Sequence, residues 1–227
     1  MGDEGVDRQR LHAWLAGRSI ARGLPAPVPD QGGYRVETNS DAEVRRWVFP
    51  KVGSGLVSLG RAITGPRHFL KLCGDAEAFR SVLPDRWQIE ASGYFMQGGA
   101  PQIRRPLPAG YATEINQTGA VTEVRIKCRA GALAASGYAA ETQEAFVYDR
   151  IVTALEHRRK GLGAVVLTAL HSAKRALDKP ELLVATSDGR QLYESMGWRV
   201  LSTYSTASIP DPQAEGVPPP SNATAIE

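Results

Sequence analysis

Between Phe146 and Leu177 the spacing of apolar positions changes from that of a strand to that of a helix. Val147, Tyr148, Ile151, Val152 and Thr153 are β-branched or aromatic, the types that fill a pleated, largely buried strand. From Leu162 the apolar positions Val165, Val166, Ala169, Leu170, Ala173 and Leu177 recur at helical spacing. Lys174 and Arg175 fall in the predicted last turn, where the helix dipole favours cations, and Pro180 ends it.

The pattern on either side builds a sheet around this unit. Val124, Ile126 and Cys128 alternate with Glu123, Arg125 and Lys127, which predicts a strand with one buried face. A turn at Ala130-Gly131 leads to a second strand over Leu133–Ala140, and the central strand follows, so three consecutive strands form an antiparallel meander. The apolar run Leu182–Ala185 should return parallel to the central strand through a right-handed crossover, making the sheet mixed. Arg199–Ser208 supplies one or two closing strands.

The first hundred residues are patterned less clearly. Residues 6–22 predict a helix with Leu11, Trp14, Leu15 and Ile20 near one face, ended by Gly23 and Pro25 and expected to pack as a lid or arm. After the linker LPAPVPDQGG come a strand at Tyr34–Glu37, apolar segments at Trp47–Phe49 and Leu56–Ile63, and a strand at Phe69–Leu72. A helix over Asp75–Leu83, with Asp75 as N-cap, and a strand over Trp87–Gln97 complete the half. The Pro- and Gly-rich stretch GGAPQIRRPLPAG places a boundary near residue 105. The expected division is a lobe over 1–105, a second domain over 106–209, and a mobile tail over 210–227.

Chemistry concentrates at the strand-to-helix junction, Arg158-Arg159-Lys160-Gly161-Leu162-Gly163. Two glycines at a helix start let free backbone N–H groups approach an anion, and three cations stand beside them. A basic turn with a glycine kept for strand-to-helix packing is the plainer alternative. The Walker pattern is absent, and the dinucleotide pattern would need a third glycine where Val166 stands.

Composition narrows the classes. The 227 residues carry a formal charge of +3 with scattered basic residues, which does not suggest nucleic acid as a partner. No apolar run is long enough to span a membrane and the N-terminal stretch has no leader pattern, so a cytoplasmic protein without a membrane partner is expected. Cys73 and Cys128 are far apart without a nearby Cys or His, and the four histidines are dispersed, so no metal is expected.

The segment Arg158-x-x-Gly161-x-Gly163 after a strand resembles the Arg/Gln-x-x-Gly-x-Gly/Ala signature of the GNAT superfamily, the acyl-CoA-dependent N-acetyltransferases. About thirty residues on, TSDGRQLYESMGW, from Thr186 to Trp198, resembles that family's second signature, a short helix ending in Leu-Tyr-x-x-x-Gly-Phe/Trp. The resemblance spans roughly residues 110–205. Thr186 stands where many members carry Asn, and Gly189 where Ala is frequent.

This resemblance implies an α+β fold with α/β-like layers, a GNAT-type mixed sheet flanked by helices, whose N-terminal lobe is either a degenerate companion half or an unrelated cap. It implies acetyl-CoA as co-substrate and a primary amine as acceptor. The pyrophosphate would sit on the N–H groups of Lys160, Gly161, Leu162, Gly163 and Ala164, with Arg158, Arg159 and Lys160 neutralising it. The pantetheine arm would pair with the backbone of Ile151, Val152 and Thr153 and pass Thr186, and a backbone N–H near Val152 would face the oxyanion. Tyr193 would return a proton to the thiolate.

Asp149, expected on the opposite strand face from Arg150, is the first candidate for general base, although an ion pair is an equal reading. Glu114 and Glu144 are weaker candidates, and water is another. No Cys lies in either motif, which favours direct transfer in a ternary complex. A small-molecule acceptor is preferred to a protein amine. The alternatives are a non-catalytic acyl-CoA-binding or protein-interaction module, and an N-terminal half that builds a homodimer interface.

Overall fold

The computed structural model describes residues 5–98 and 105–211. The first half comprises α1 (Arg8–Arg22), β1 (Val28–Asp30), β2 (Gly33–Glu37), β3 (Arg45–Phe49), α2 (Ser54–Ala62), β4 (His68–Cys73), α3 (Ala76–Val82), β5 (Gln88–Ile89) and β6 (Gly93–Gly98). The second comprises β7 (Tyr111–Thr118), β8 (Val121–Cys128), β9 (Leu133–Glu141), β10 (Phe146–Thr153), α4 (Leu162–Ser172), β11 (Glu181–Ala185), α5 (Ser187–Ser195) and β12 (Arg199–Ser208). A short 3-10 turn, Leu155–His157, links β10 to the α4 junction.

All strands join one mixed sheet in the order β1-β2-β3-β4-β12-β6-β11-β10-β9-β8-β7, with β5 pairing the end of β12. With the outermost β7 set aside, the order is palindromic about the β12–β6 pair. The series β1, β2, β3, β4 has the same directions as β8, β9, β10, β11, and the parallel pair is β3 with β4 in one half and β10 with β11 in the other. The closing strands are exchanged: β6 ends the first half but pairs with β11, while β12 ends the second but pairs with β4. Strands from both sides of residue 105 therefore interleave.

Alternation along the strands assigns the faces. Trp47 and Phe49 of β3 pack with Leu56, Phe79 and Trp87 under α2 and α3, while Phe146 and Tyr148 of β10 pack with Leu162, Val166 and Leu170 under α4. The intervening residues Val48 and Val147 face the other way, into a core built on Leu11, Trp14 and Leu15 of α1. Those three side chains are at most 2% exposed, and burial at that level contributes about 1.5–3 kcal/mol each. α1 is thus an integral layer, which corrects the expectation of a lid or arm. Its Gly17 lies so close to β10 that an added Cβ would stand 2.4 Å from Val147 Cγ2.

Several expected elements shift. Ile20 is exposed, and Arg18 takes its place on the buried face of α1. The strand expected over Trp87–Gln97 divides into β5 and β6. α4 ends at Ser172 instead of near Leu177, which is 78% exposed. The reason is tertiary: the buried Lys174 ammonium donates to the carbonyls of Leu177 and Lys179 and to Glu181, while Glu141 accepts from the N–H groups of Arg175 and Ala176. Side chains thereby satisfy backbone groups that another helical turn would have satisfied. The tail expected from residue 210 lies outside the described residues from 212 onward.

Candidate active site

β10 pairs with β11 over only two positions, Phe146 with Glu181 and Val147 with Leu182. This short paired stretch is pinned from one side, where the buried Tyr148 hydroxyl donates to Glu181 Oε2 at 2.7 Å and Lys174 Nζ donates to Oε1 at 3.1 Å. Burial first, then the Glu181 charge, pushes the Tyr148 phenol well up, so it keeps its proton. On the other edge, the register with β9 shifts between Asp149 and Val152, and Arg150 adopts φ 51° within that bulge. Beyond Val147 the strands splay, and a cavity of about 500 Å³ fills the gap.

One end of the cavity is the start of α4. Gly161, the N-cap, sits at φ 78°, a left-handed conformation natural to glycine, and no side chain caps the helix. The N–H groups of the first turn therefore point outward without intrahelical partners. A Cβ at Gly161 would meet nothing nearer than Arg105 Cδ at 4.0 Å, so the approach is open, whereas one at Gly163 would stand 3.0 Å from Leu192 Cδ2 and press α5 away. Arg158 and Arg159 line this end. Lys160 does not: its ammonium donates to the Glu156 carbonyl at 3.1 Å and lies 5.9 Å from the Tyr111 ring centroid, which corrects its expected place beside the other two cations.

Ile151, Val152 and Thr153 form one wall, and Leu162, Gly163, Ala164, Thr186 and Tyr193 complete the apolar and polar lining opposite. Thr186 is the N-cap of α5, its hydroxyl accepting from Gly189 N–H at 3.2 Å. Tyr193 is 7% exposed, and burial pushes its phenol far up, so the hydroxyl stays protonated.

The far end is formed by Trp14 and Arg18 of α1 with Asp149 and Arg150, on the sheet face away from α4. Asp149 accepts from Arg22 Nε at 2.7 Å and Nη2 at 3.0 Å, and also lies 3.2 Å from Arg150 Nε and 3.9 Å from Arg18 Nε. The bulge brings Arg150 to the same side as Asp149, against the simple alternation expected. Both carboxylate oxygens are engaged by guanidinium groups, so the geometry corrects the expectation of Asp149 as a base facing an amine. The weaker candidates lie elsewhere: Glu114 pairs with Lys127 on an outer strand, and Glu144 with His12.

Trp14 and Arg18 are site residues that sequence reasoning missed. The signal was available: Arg18 follows Leu11, Trp14 and Leu15 at the spacing of one apolar face, and a charged residue on such a face is costly to bury without a task.

Among the described residues no cluster of His, Cys, Asp and Glu could hold a metal ion, and no helix is long and apolar enough to cross a membrane. No protein-family model matches the chain, and no curated protein does. Solved structures do. A GCN5-related N-acetyltransferase from Kribbella flavida is 14% identical, with a TM-score of 0.63 over 93% of this chain and 98% of that one. A putative GNAT-family acetyltransferase from Novosphingobium aromaticivorans is also 14% identical, with a TM-score of 0.57 over 89% and 98%. A GCN5-related N-acetyltransferase from Sphaerobacter thermophilus is 11% identical, with a TM-score of 0.55 over 79% and 78%. The fold is that of the GNAT acetyltransferases.

Proposed function

We propose that the protein is an acetyl-CoA-dependent N-acetyltransferase acting on a primary amine by direct attack in a ternary complex. The observation that supports this reading best is that one cavity threads the splayed strands from an uncapped helix start to Tyr193. The residues present fit a diphosphate. Gly161 and Gly163 clear the approach to the first-turn N–H groups, and Arg158 and Arg159 place positive charge beside it.

Bound acetyl-CoA supplies an activated thioester. The edge of β10 from Ile151 to Thr153 that β11 leaves unpaired, where the Thr153 carbonyl meets Arg158 Nε at 3.4 Å, can hydrogen-bond an extended amide chain in the manner of an added strand. A backbone N–H near Val152 is placed to stabilise developing negative charge on the carbonyl oxygen. Tyr193 holds a proton at its hydroxyl for the departing sulfur. Removal of the amine's proton falls to solvent: Arg18 and Arg150 at the acceptor end disfavour the ammonium form of an incoming amine, and Asp149 positions those arginines. We read residues 27–98 as a degenerate companion half, on the strength of the palindromic strand order.

Calorimetric titration with acetyl-CoA tests this reading. Saturable binding in the wild type, lost in an Arg159→Glu, Gly161→Glu double variant, is the expected result. A folded wild-type protein that takes up no acetyl-CoA overturns it.

A further inference from the structure

The acceptor end of the cavity holds more positive charge than the structure neutralises. Arg18, Arg22 and Arg150 share one carboxylate, Asp149. Asp149 is given mainly to Arg22, through two hydrogen bonds, and Arg150 also donates to the Ala21 carbonyl and stacks 3.8 Å from the Tyr138 ring centroid. Arg18 has the least. It is 6% exposed, lines the cavity, lies 5.8 Å over the Trp14 ring, and among the described residues has as its ion-pair partner only Asp149, at 3.9 Å, too far for a good hydrogen bond. The carboxylate of Glu43 is engaged by the neighbouring Arg46 and is not offered to Arg18, while Arg46 itself adds to the positive potential there.

A buried guanidinium is costly unless its donors find acceptors, and Arg18 lines the space an acceptor molecule would enter. Burial, with Arg46 and Arg22 nearby, brings the Arg18 pKa down to about 10, so at neutral pH the group remains charged. The cofactor end lies on the α4 face of the sheet and Arg18 on the α1 face, so an anion on Arg18 would belong to the molecule approaching from the opposite side.

We propose that the cavity end formed by Arg18 and Arg150 is a carboxylate subsite, and that the acceptor is an amine carrying its own carboxylate, of the α-amino-acid class. This rests on the acetyltransferase reading of the same cavity. The planar guanidinium of Arg18 provides paired N–H donors that match a carboxylate, with Arg150 as a second cation at the rim. Held there, the substrate would turn its amine toward the β10–β11 gap.

The test is an acetylation panel of the common α-amino acids, each beside its carboxamide, which keeps the amine and removes the charge. Carboxamides have the more readily deprotonated amines, so without the subsite they would be the better substrates. The expected result is that at least one amino acid exceeds its amide in kcat/KM by about 10- to 100-fold, the span of a charge-assisted hydrogen-bond pair. In Arg18→Gln the preference should collapse through KM, the acid losing far more than its amide; Arg18→Lys, which retains charge, should restore part of it. Equal use of acids and amides, or acetyl-CoA binding with no acid acetylated, overturns the proposal.

If acetyl-CoA itself is not bound, the acetyltransferase reading fails separately, and the same acids are titrated directly while the Trp14 indole resonance is followed. Carboxylate-dependent shifts lost in Arg18→Gln then uphold the subsite, and their absence overturns it. Should Arg18→Gln not fold, Arg150→Gln serves in its place, with a smaller loss of the same preference expected.

Discussion

In the first half of the sheet the helix start Gly53-Ser54-Gly55 is crowded at Gly55 by the neighbouring hairpin and lines a separate cavity beside α1, whereas in the second the corresponding start Gly161-Leu162-Gly163 opens into the space between two parting strands. A Cβ at Gly55 would stand 1.7 Å from the Gln31 carbonyl oxygen, because the β1–β2 hairpin, turning at Gln31-Gly32, lies against it. The strands differ in the same sense. β3 and β4 pair along five positions, Arg45 with His68 through Phe49 with Leu72, while β10 and β11 separate after two. The helices after the crossover share a frame: Asp75 and Thr186 are N-caps with a buried tryptophan twelve residues later, Trp87 and Trp198. Seven residues after the cap stands Val82 in one half and Tyr193 in the other. A common architecture thus keeps its parallel strands paired throughout in one half and holds a cavity between them where they part in the other.

Tyr193→Phe should show the largest effect. Removing one hydroxyl from the open half lowers kcat by about 100-fold, within the usual range for losing a general acid, and leaves acetyl-CoA affinity unchanged in calorimetry. Val82→Thr in the closed half leaves turnover as it was. Full activity in Tyr193→Phe would remove the difference in role between the halves.

Gly17→Ala should destabilise by about 1–3 kcal/mol in urea unfolding, although alanine is the better helix former. The added Cβ meets the buried Val147, and overpacking outweighs propensity. A stabilised variant would show that α1 is loosely held against β10.

At the two helix N-caps, Gly161→Ala should cost about 1 kcal/mol because φ is 78°, and Gly53→Ala close to nothing because φ is −165°. Thermal unfolding of the two variants side by side measures the contrast.

Acid should loosen the open half first, with the smallest effect. The turn after α4 hangs on Glu141, whereas the end of α2 is held by Arg86, which donates to the carbonyls of Gly60, Arg61 and Ile63 and does not titrate in the acid range. Burial would raise the Glu141 pKa, but N–H donors from Arg175 and Ala176 and the cations of Arg175 and Lys179 together bring it to about 2, below its ordinary 4.5. Between those values the unfolded chain binds the extra proton, so this contribution is intact above about pH 4.5 and is lost as pH falls toward 2. Hydrogen-exchange protection over residues 173–180, taken relative to the intrinsic rate at each pH, should fall as pH drops through that window in the wild type, while Glu141→Gln should show a lower protection that does not change with pH.

Much of the second half was legible because its elements carry local signals. Leu182–Ala185 is a short apolar run after a helix, and Gly161 and Gly163 mark a helix start by their lack of side chains. β7 escaped notice because an outer strand such as Tyr111–Thr118, mostly exposed, has no apolar alternation to display. The early end of α4 was hidden for a different reason: the apolar stripe continues to Leu177, and what stops the helix is Glu141, some thirty residues upstream in the chain.

Periodicity, glycine placement and the two motifs determined the crossover unit, the parallel pair and the residues around the α4 start, since each depends on neighbours within a few positions. Only the tertiary structure decided that β6 and β12 exchange places, that the bulge brings Arg150 beside Asp149, and that Arg18 faces the cavity. Those outcomes depend on which distant surfaces meet, and a carboxylate offered to a base or to three guanidinium groups has the same sequence either way.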